Sequence, residues 1–193
     1  MIIPRITKPY EPGLPALGND LENYLVSAGG SVTLKLEPGD TFKIINLEGL
    51  QQAELVGFNS KGECSLSPLS LKSEHKGDLT KNILTSSEES AQIAYSKLKR
   101  LGHDVNSINQ SVLIFSKEAE ANSVEEFSSN DSSICIISAP GEFEITHENI
   151  PASELRVIVQ RSRKREEGEF LLPHPLMDPV EEIFVKRYTA MAY

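Results

Sequence analysis

The residues able to do acid–base, nucleophilic or metal chemistry are few and scattered. Histidine occurs four times, at His75, His103, His147 and His174, and cysteine twice, at Cys64 and Cys135. No two histidines stand as His-x-His or as the ends of His-Glu-x-x-His, the spacings that aim two imidazoles at one metal. Cys64 and Cys135 could join His103 in a zinc site only by tertiary approach, since thiolate and imidazole are suitable donors but the spacing lends no support. The expectation is two reduced, half-buried thiols and no metal. His103-Asp104 sets an imidazole beside a carboxylate, the pair used in general acid–base catalysis. Adjacent residues rarely face each other, however, and Asp104 reads more simply as a turn residue after Gly102. Both are kept as ligand-binding candidates. No serine sits in a Gly-x-Ser-x-Gly elbow and no glycine-rich phosphate loop occurs. No catalytic residue is assigned.

Two further features point to contact rather than chemistry. Arg161, Arg163, Lys164 and Arg165 form a basic cluster followed by Glu166, Glu167 and Glu169. It reads either as a solvated strand end paired with those acids or as a docking patch for an acidic partner. Beyond it, Leu171, Leu172, Leu176 and Phe184 belong to a segment too apolar for a disordered linker. These side chains should be buried, on the chain's own sheet or on another chain. Arg161, Arg163, Lys164, Arg165 and these four apolar residues are the partner-binding candidates.

The elements that must carry these residues are mostly strands. The apolar residues alternate in Val32–Leu36, and short strands also read at Phe42–Ile45, Ala53–Phe58, Ser111–Phe115, Val124–Phe127, Ile134–Ile137, Phe143–Ile145 and Leu155–Val159. Turn sequences separate them, among them Glu37-Pro38-Gly39-Asp40 and Asn59-Ser60-Lys61-Gly62. One helix is predicted over 87–101, from a Ser86/Glu89 capping box to Gly102, with Ala91, Ala94, Tyr95, Leu98 and Leu101 on one face. Ser65 to Lys81 reads as a surface loop. Seven of the eleven prolines lie within the first fifteen residues or within 173–179, where they exclude central strands and helix interiors. The resulting architecture is mainly β with one or two helices, an antiparallel β-sandwich or barrel with extended N- and C-terminal arms. Residues 1–30 form an N-terminal arm with a short helical piece around Asn19 to Val26, 31–165 the β-rich domain and 166–193 an extended tail or connector.

Composition bounds the function. With 193 residues the chain is about one domain. Lys plus Arg is 19 against 28 Asp plus Glu, a net charge of −9, which argues against nucleic acid or an anionic membrane as partner. Ile134-Cys135-Ile136-Ile137 is the longest nearly pure apolar run, far short of the ~18 residues of a membrane span. No secretory signal is visible at the N-terminus, so a cytoplasmic location is expected.

The segment Phe42 to Phe58, with Glu48, Gly49, Gln51 and Glu54 in order, resembles the signature strand pair of the urea-carboxylase-associated domain family. Asn46 stands where that family usually has aspartate. Phe115 to Ala119, Ile134 to Gly141 and Val157 to Ser162 resemble the N-terminal module of large fusions that carry such a domain ahead of a glycine-cleavage T-protein-like aminomethyltransferase. Leu172 to Pro179 looks like the connector in those fusions. The resemblance implies a non-catalytic accessory or assembly module of a folate-dependent, methylamine-type one-carbon system. Tetrahydrofolate would belong to the partner domain and no cofactor to this chain. The partner is an aminomethyltransferase-like chain, or another copy through the tail. It also adds Gln51 and Glu54 to the ligand-binding candidates. An alternative is a small metal- or ligand-binding homodimeric β-barrel, possibly an enzyme, with Gln51, Glu54, His103 and Cys135 gathered near one mouth. Three positions apart, Gln51 and Glu54 face oppositely on a regular strand unless a bulge intervenes.

Overall fold

The computed structural model describes residues 21–116, 118–139 and 154–162. Eight strands form two antiparallel four-stranded sheets. Sheet A has the order β1-β8-β3-β6, from Leu21–Val26, Leu155–Gln160, Thr41–Asn46 and Ser123–Ser128. Sheet B has the order β2-β7-β4-β5, from Ser31–Leu36, Ser133–Ser138, Ala53–Asn59 and Val112–Ile114. The sheets stack face to face as a sandwich; among the described residues they do not close into a barrel. Helices α1 (Asp78–Leu84) and α2 (Glu89–Arg100) lie on the outer face of sheet B.

This third layer explains the burial of each strand. In β3 and β8 buried and less buried residues alternate, because only one face meets the core. β7 is buried at all six positions and β4 at its first six, because sandwich core lies on one side and helices on the other. The continuous run Ile134-Cys135-Ile136-Ile137 is therefore a strand covered twice. Cys135 and Ile137 join Leu34, Phe42, Ile44 and Leu55 in the sandwich core. Ile134 and Ile136 join Val56, Phe58, Leu84 and Leu98 beneath the helices.

Local chemistry fixes the connections. Glu37-Pro38-Gly39-Asp40 turns with Gly39 at φ +87°, and the Asp40 N–H donates to the Glu37 carbonyl at 3.0 Å. At the end of α2, Gly102 at φ +85° lets the His103 N–H reach the Leu98 carbonyl at 2.9 Å and its own N–H reach that of Lys99 at 3.1 Å. This double bond pattern is the Schellman cap that a left-handed glycine permits.

Three expectations need correction. The helical piece around Asn19 to Val26 is instead strand β1 over Leu21–Val26, paired along its length with β8. Its alternating inward Glu22, Tyr24 and Val26 suit a sheet with one covered face. The Ser86/Glu89 capping box does not form: α2 begins after Glu88, and no side chain caps it. The Ser86 carbonyl instead accepts from Gln92 Nε2 at 2.6 Å. The stretch Ser65 to Lys81 is not all loop, since Ser67–Leu69 is a 3-10 turn and α1 starts at Asp78. The strand expected at Phe143–Ile145 lies outside the described residues.

Candidate functional site

Polar side chains are buried in two clusters at opposite ends of the sandwich. At one end, β8 runs out into Arg161. Its guanidinium faces inward between the sheets, where Nε and Nη2 donate to Glu22 at 3.0 and 2.6 Å. Nη1 donates to Asp40 Oδ2 at 2.7 Å and to the Lys35 carbonyl at 2.6 Å. Asp40 also accepts from the backbone N–H groups of Ser162 at 2.8 Å and Glu37 at 3.0 Å. β1, the β2–β3 turn and β8 are thus tied by one cation. Burial alone would raise the Asp40 pKa, but the N–H donors of Ser162 and Glu37 and the Arg161 charge together hold it below the usual carboxylate range. Burial works against the Arg161 cation too, and the Glu22 and Asp40 carboxylates outweigh it and raise its pKa.

At the other end, Glu54 points from β4 to the helix side and is 2 % exposed. Its Oε2 accepts from the Thr80 N–H at 2.6 Å and its Oε1 from the Ser111 hydroxyl at 2.9 Å. Ser111 Oγ in turn accepts from the Gly77 N–H at 2.9 Å. Gly77 is the left-handed residue before α1, and a Cβ there would meet Ile108 Cγ2 at 2.2 Å. A carboxylate from a distant strand therefore caps the first turn of α1, where free N–H groups and the helix dipole favour negative charge. Ser138, opposite Glu54 in the β4–β7 register, and Thr80 carry buried hydroxyl oxygens without partners.

The remaining candidates do not gather around Glu54. Gln51 precedes β4; its Nε2 donates to the Gln52 carbonyl at 2.8 Å, and its own carbonyl accepts from Asn46 Nδ2 at 2.7 Å. Asn46 faces the sandwich core, fully buried, with Oδ1 unpartnered. His103 packs on Phe58, ring centroids 5.3 Å apart, beneath the helix layer. Burial lowers its pKa, and Nδ1 has no partner. Asp104 Oδ1 accepts from the Asn106 N–H at 2.9 Å, the turn role. Cys135 lies in the sandwich core, on the other face of sheet B from Glu54 and His103, and burial pushes its thiol pKa up. The grouping of Gln51, Glu54, His103 and Cys135 at one mouth is therefore not what the fold builds: sheet B stands between Cys135 and both Glu54 and His103. Among the described residues no three His, Cys, Asp or Glu side chains are placed to share a metal. Arg163, Lys164, Arg165, Leu171, Leu172, Leu176 and Phe184 lie outside the described residues. No helix of the described residues is long and apolar enough to cross a membrane.

The chain is similar over its whole length to trimethylamine-oxide aldolase of Ruegeria pomeroyi. The two are 31 % identical over 199 aligned residues. The chain spans 25 % of that protein's length, so the likeness is to one part of a longer polypeptide. Among solved structures it is similar to a DUF1989 family protein from Silicibacter pomeroyi DSS-3, with 13 % identity and a TM-score of 0.41 over 75 % of this chain and 80 % of that one. No family model matches the chain.

The sequence reading missed Thr80 and Ser111 as members of a buried polar cluster, and Glu22 and Asp40 as partners of Arg161. For Thr80 and Ser111 no local signal exists, because their partner is 26 and 57 positions away. Glu22 carried a faint one: an acid on the same alternation as Tyr24 and Val26 needs a buried cation or donor.

Proposed function

We propose that this chain is a non-catalytic accessory or assembly module of a methylamine-type one-carbon system, acting beside a folate-dependent, aminomethyltransferase-like partner that holds the tetrahydrofolate. The observation that carries this reading is the full-length likeness of the chain to one quarter of trimethylamine-oxide aldolase. The placement of the candidate residues is consistent with it. Glu54 has both oxygens bonded within the chain, Asp104 caps a turn, and Cys135 is sealed in the core. Docking falls to Arg163, Lys164 and Arg165 and to the apolar residues Leu171, Leu172, Leu176 and Phe184, since the Arg161 guanidinium is bonded to Glu22 and Asp40.

The test has two arms. The purified chain, incubated with trimethylamine oxide with and without tetrahydrofolate and followed by proton NMR, is expected to leave the substrate unchanged; turnover would overturn the non-catalytic reading. In sedimentation with an identified aminomethyltransferase-like polypeptide from the same cells, the chain is expected to shift to a joint species, and a chain lacking 170–193 to lose that shift. A chain that remains separate from that polypeptide would sink the assembly role.

A further inference from the structure

His103 sits where three segments meet. It follows the glycine that ends α2, its ring packs on Phe58 of β4, and the turn 59–62 lies against it. Gly62, at φ +82°, shows how close that turn comes: a Cβ there would lie 2.6 Å from the Gly102 carbonyl oxygen and 3.7 Å from His103 Nδ1. Val105 and Ile108, on the stretch that His103 begins, join Phe58, Leu98 and half-buried Cys64 in the apolar cluster beneath the helices. Cys64 is bridged to Phe58, and its Sγ donates to the Gln110 carbonyl at 3.6 Å. The stretch that starts at His103 therefore covers the thiol.

The His103 side chain is buried, and its Nδ1 has no partner. The titratable side chains of the elements around it supply no acceptor. Asp104 Oδ1 accepts from the Asn106 N–H, Glu63 Oε2 from Asn59 Nδ2 at 2.9 Å, and the Tyr95 hydroxyl from Asn106 Nδ2 at 2.9 Å. Lys61, Lys99 and Arg100 are exposed and Lys97 is buried, and all four can only donate. The end of α2 favours cations, but Lys97, Lys99 and Arg100 already occupy its last turn. A neutral imidazole tolerates an idle Nδ1. An imidazolium carries N–H on both nitrogens, and a buried charged donor without an acceptor is costly. Burial alone lowers the His103 pKa accordingly.

We propose that His103 is a pH-sensitive latch on this corner of the helix layer: when Nδ1 takes a proton, the stretch 101–110 and the turn 59–62 part, which hydrates the ring and uncovers Cys64 while both sheets stay paired. The latch is independent of the assembly reading. An imidazole released to water titrates near pH 6.5, so with the closed ring neutral the open fraction rises by about tenfold between neutral pH and pH 5.5.

The test is made on the full chain alone. Labelling with 4,4′-dithiodipyridine from pH 8 to 5.5, read by peptide mapping in a mass spectrometer, gives the Cys64 and Cys135 rates separately. His103→Phe keeps an aromatic ring on Phe58 but cannot titrate; should it fail to fold by far-UV dichroism, His103→Gln replaces it. Dividing the wild-type Cys64 rate by that of the variant at each pH cancels the ionisation of the thiol itself. The ratio is expected to rise about tenfold on acidification to pH 5.5. Gly62→Ala, which drives a Cβ against the Gly102 carbonyl, is expected to label Cys64 fast at every pH. A ratio that stays flat would overturn the proposal. So would a Cys135 rate that climbs in step with that of Cys64, since the opening would then be global. A Gly62→Ala chain that labels like wild type would show that this corner does not guard the thiol, and would sink it equally.

Discussion

Asp40 and Glu54 are both 2 % exposed, yet the fold accommodates them by opposite means. Asp40 shares a guanidinium with Glu22, so charge is met by charge. Glu54 is met by a backbone N–H and a hydroxyl at the start of a short helix. The first arrangement ties three segments at one end of the sandwich. The second fastens the helix layer to sheet B. A buried acid in this chain therefore marks a junction between elements, and its partner's type tells how much is lost when the junction is opened.

The largest effect is expected at the ion-paired end. Arg161→Ala leaves two carboxylates buried without their cation and should cost about 3–5 kcal/mol, read as a drop in the urea midpoint. If the loss is below about 1 kcal/mol, Arg161 is acting as a surface cation and the contrast with Glu54 collapses. Next comes Glu54→Gln, which turns an amide donor toward one of two existing donors and should cost about 1–3 kcal/mol. Ser111→Ala combined with it should be markedly non-additive, since both act through one hydrogen-bond chain.

Acid should separate Asp40 from His103 as well. The folded Asp40 pKa is depressed, so its contribution is complete above the unfolded value of about 3.9 and is lost as pH falls from there through the folded value. Urea midpoints measured from pH 5 to 2.5 should fall, and Asp40→Asn should flatten that slope. His103 is also depressed, by burial alone, and being a base it is stabilising while neutral. Its contribution is complete above about pH 6.5 and declines as pH drops below that value. His103→Gln should remove the slope that begins below about pH 6.5 while leaving the acidic one. The smallest perturbation is a labelling one: in the native chain a thiol reagent should modify half-buried Cys64, whereas Cys135 should react only on unfolding.

Much of this fold could be read along the chain, and most of the candidate site could not. Period-two alternation located β2, β3 and β8, and Gly102 marked the end of α2, because these signals lie within a few residues of the structure they cause. β1 was misread since prolines nearby disguise a six-residue strand whose partner is some 135 positions away. The capping box at Ser86 failed because α2 starts only after Glu88, and the Ser86 carbonyl is engaged by Gln92 Nε2 of the helix itself. Glu54 stood out by resemblance as a ligand-binding residue. In the structure its two oxygens are bonded to Thr80 and Ser111, which no spacing rule connects to it.

By itself the sequence determined the strand-rich composition, the turns that demand glycine, the helix with its glycine stop and a net charge of −9. Each of these follows from steric and solvation preferences that act over one or two turns of chain. Only the tertiary structure decided which acids meet a cation and which meet neutral donors, that Cys135 and His103 lie on opposite sides of sheet B, and that helices cover the outer face of sheet B. Those outcomes depend on strand order and register, which bring together residues separated by up to 139 positions, as in the Glu22–Arg161 pair. The free energy that decides them is that of burying and satisfying polar groups across the whole fold.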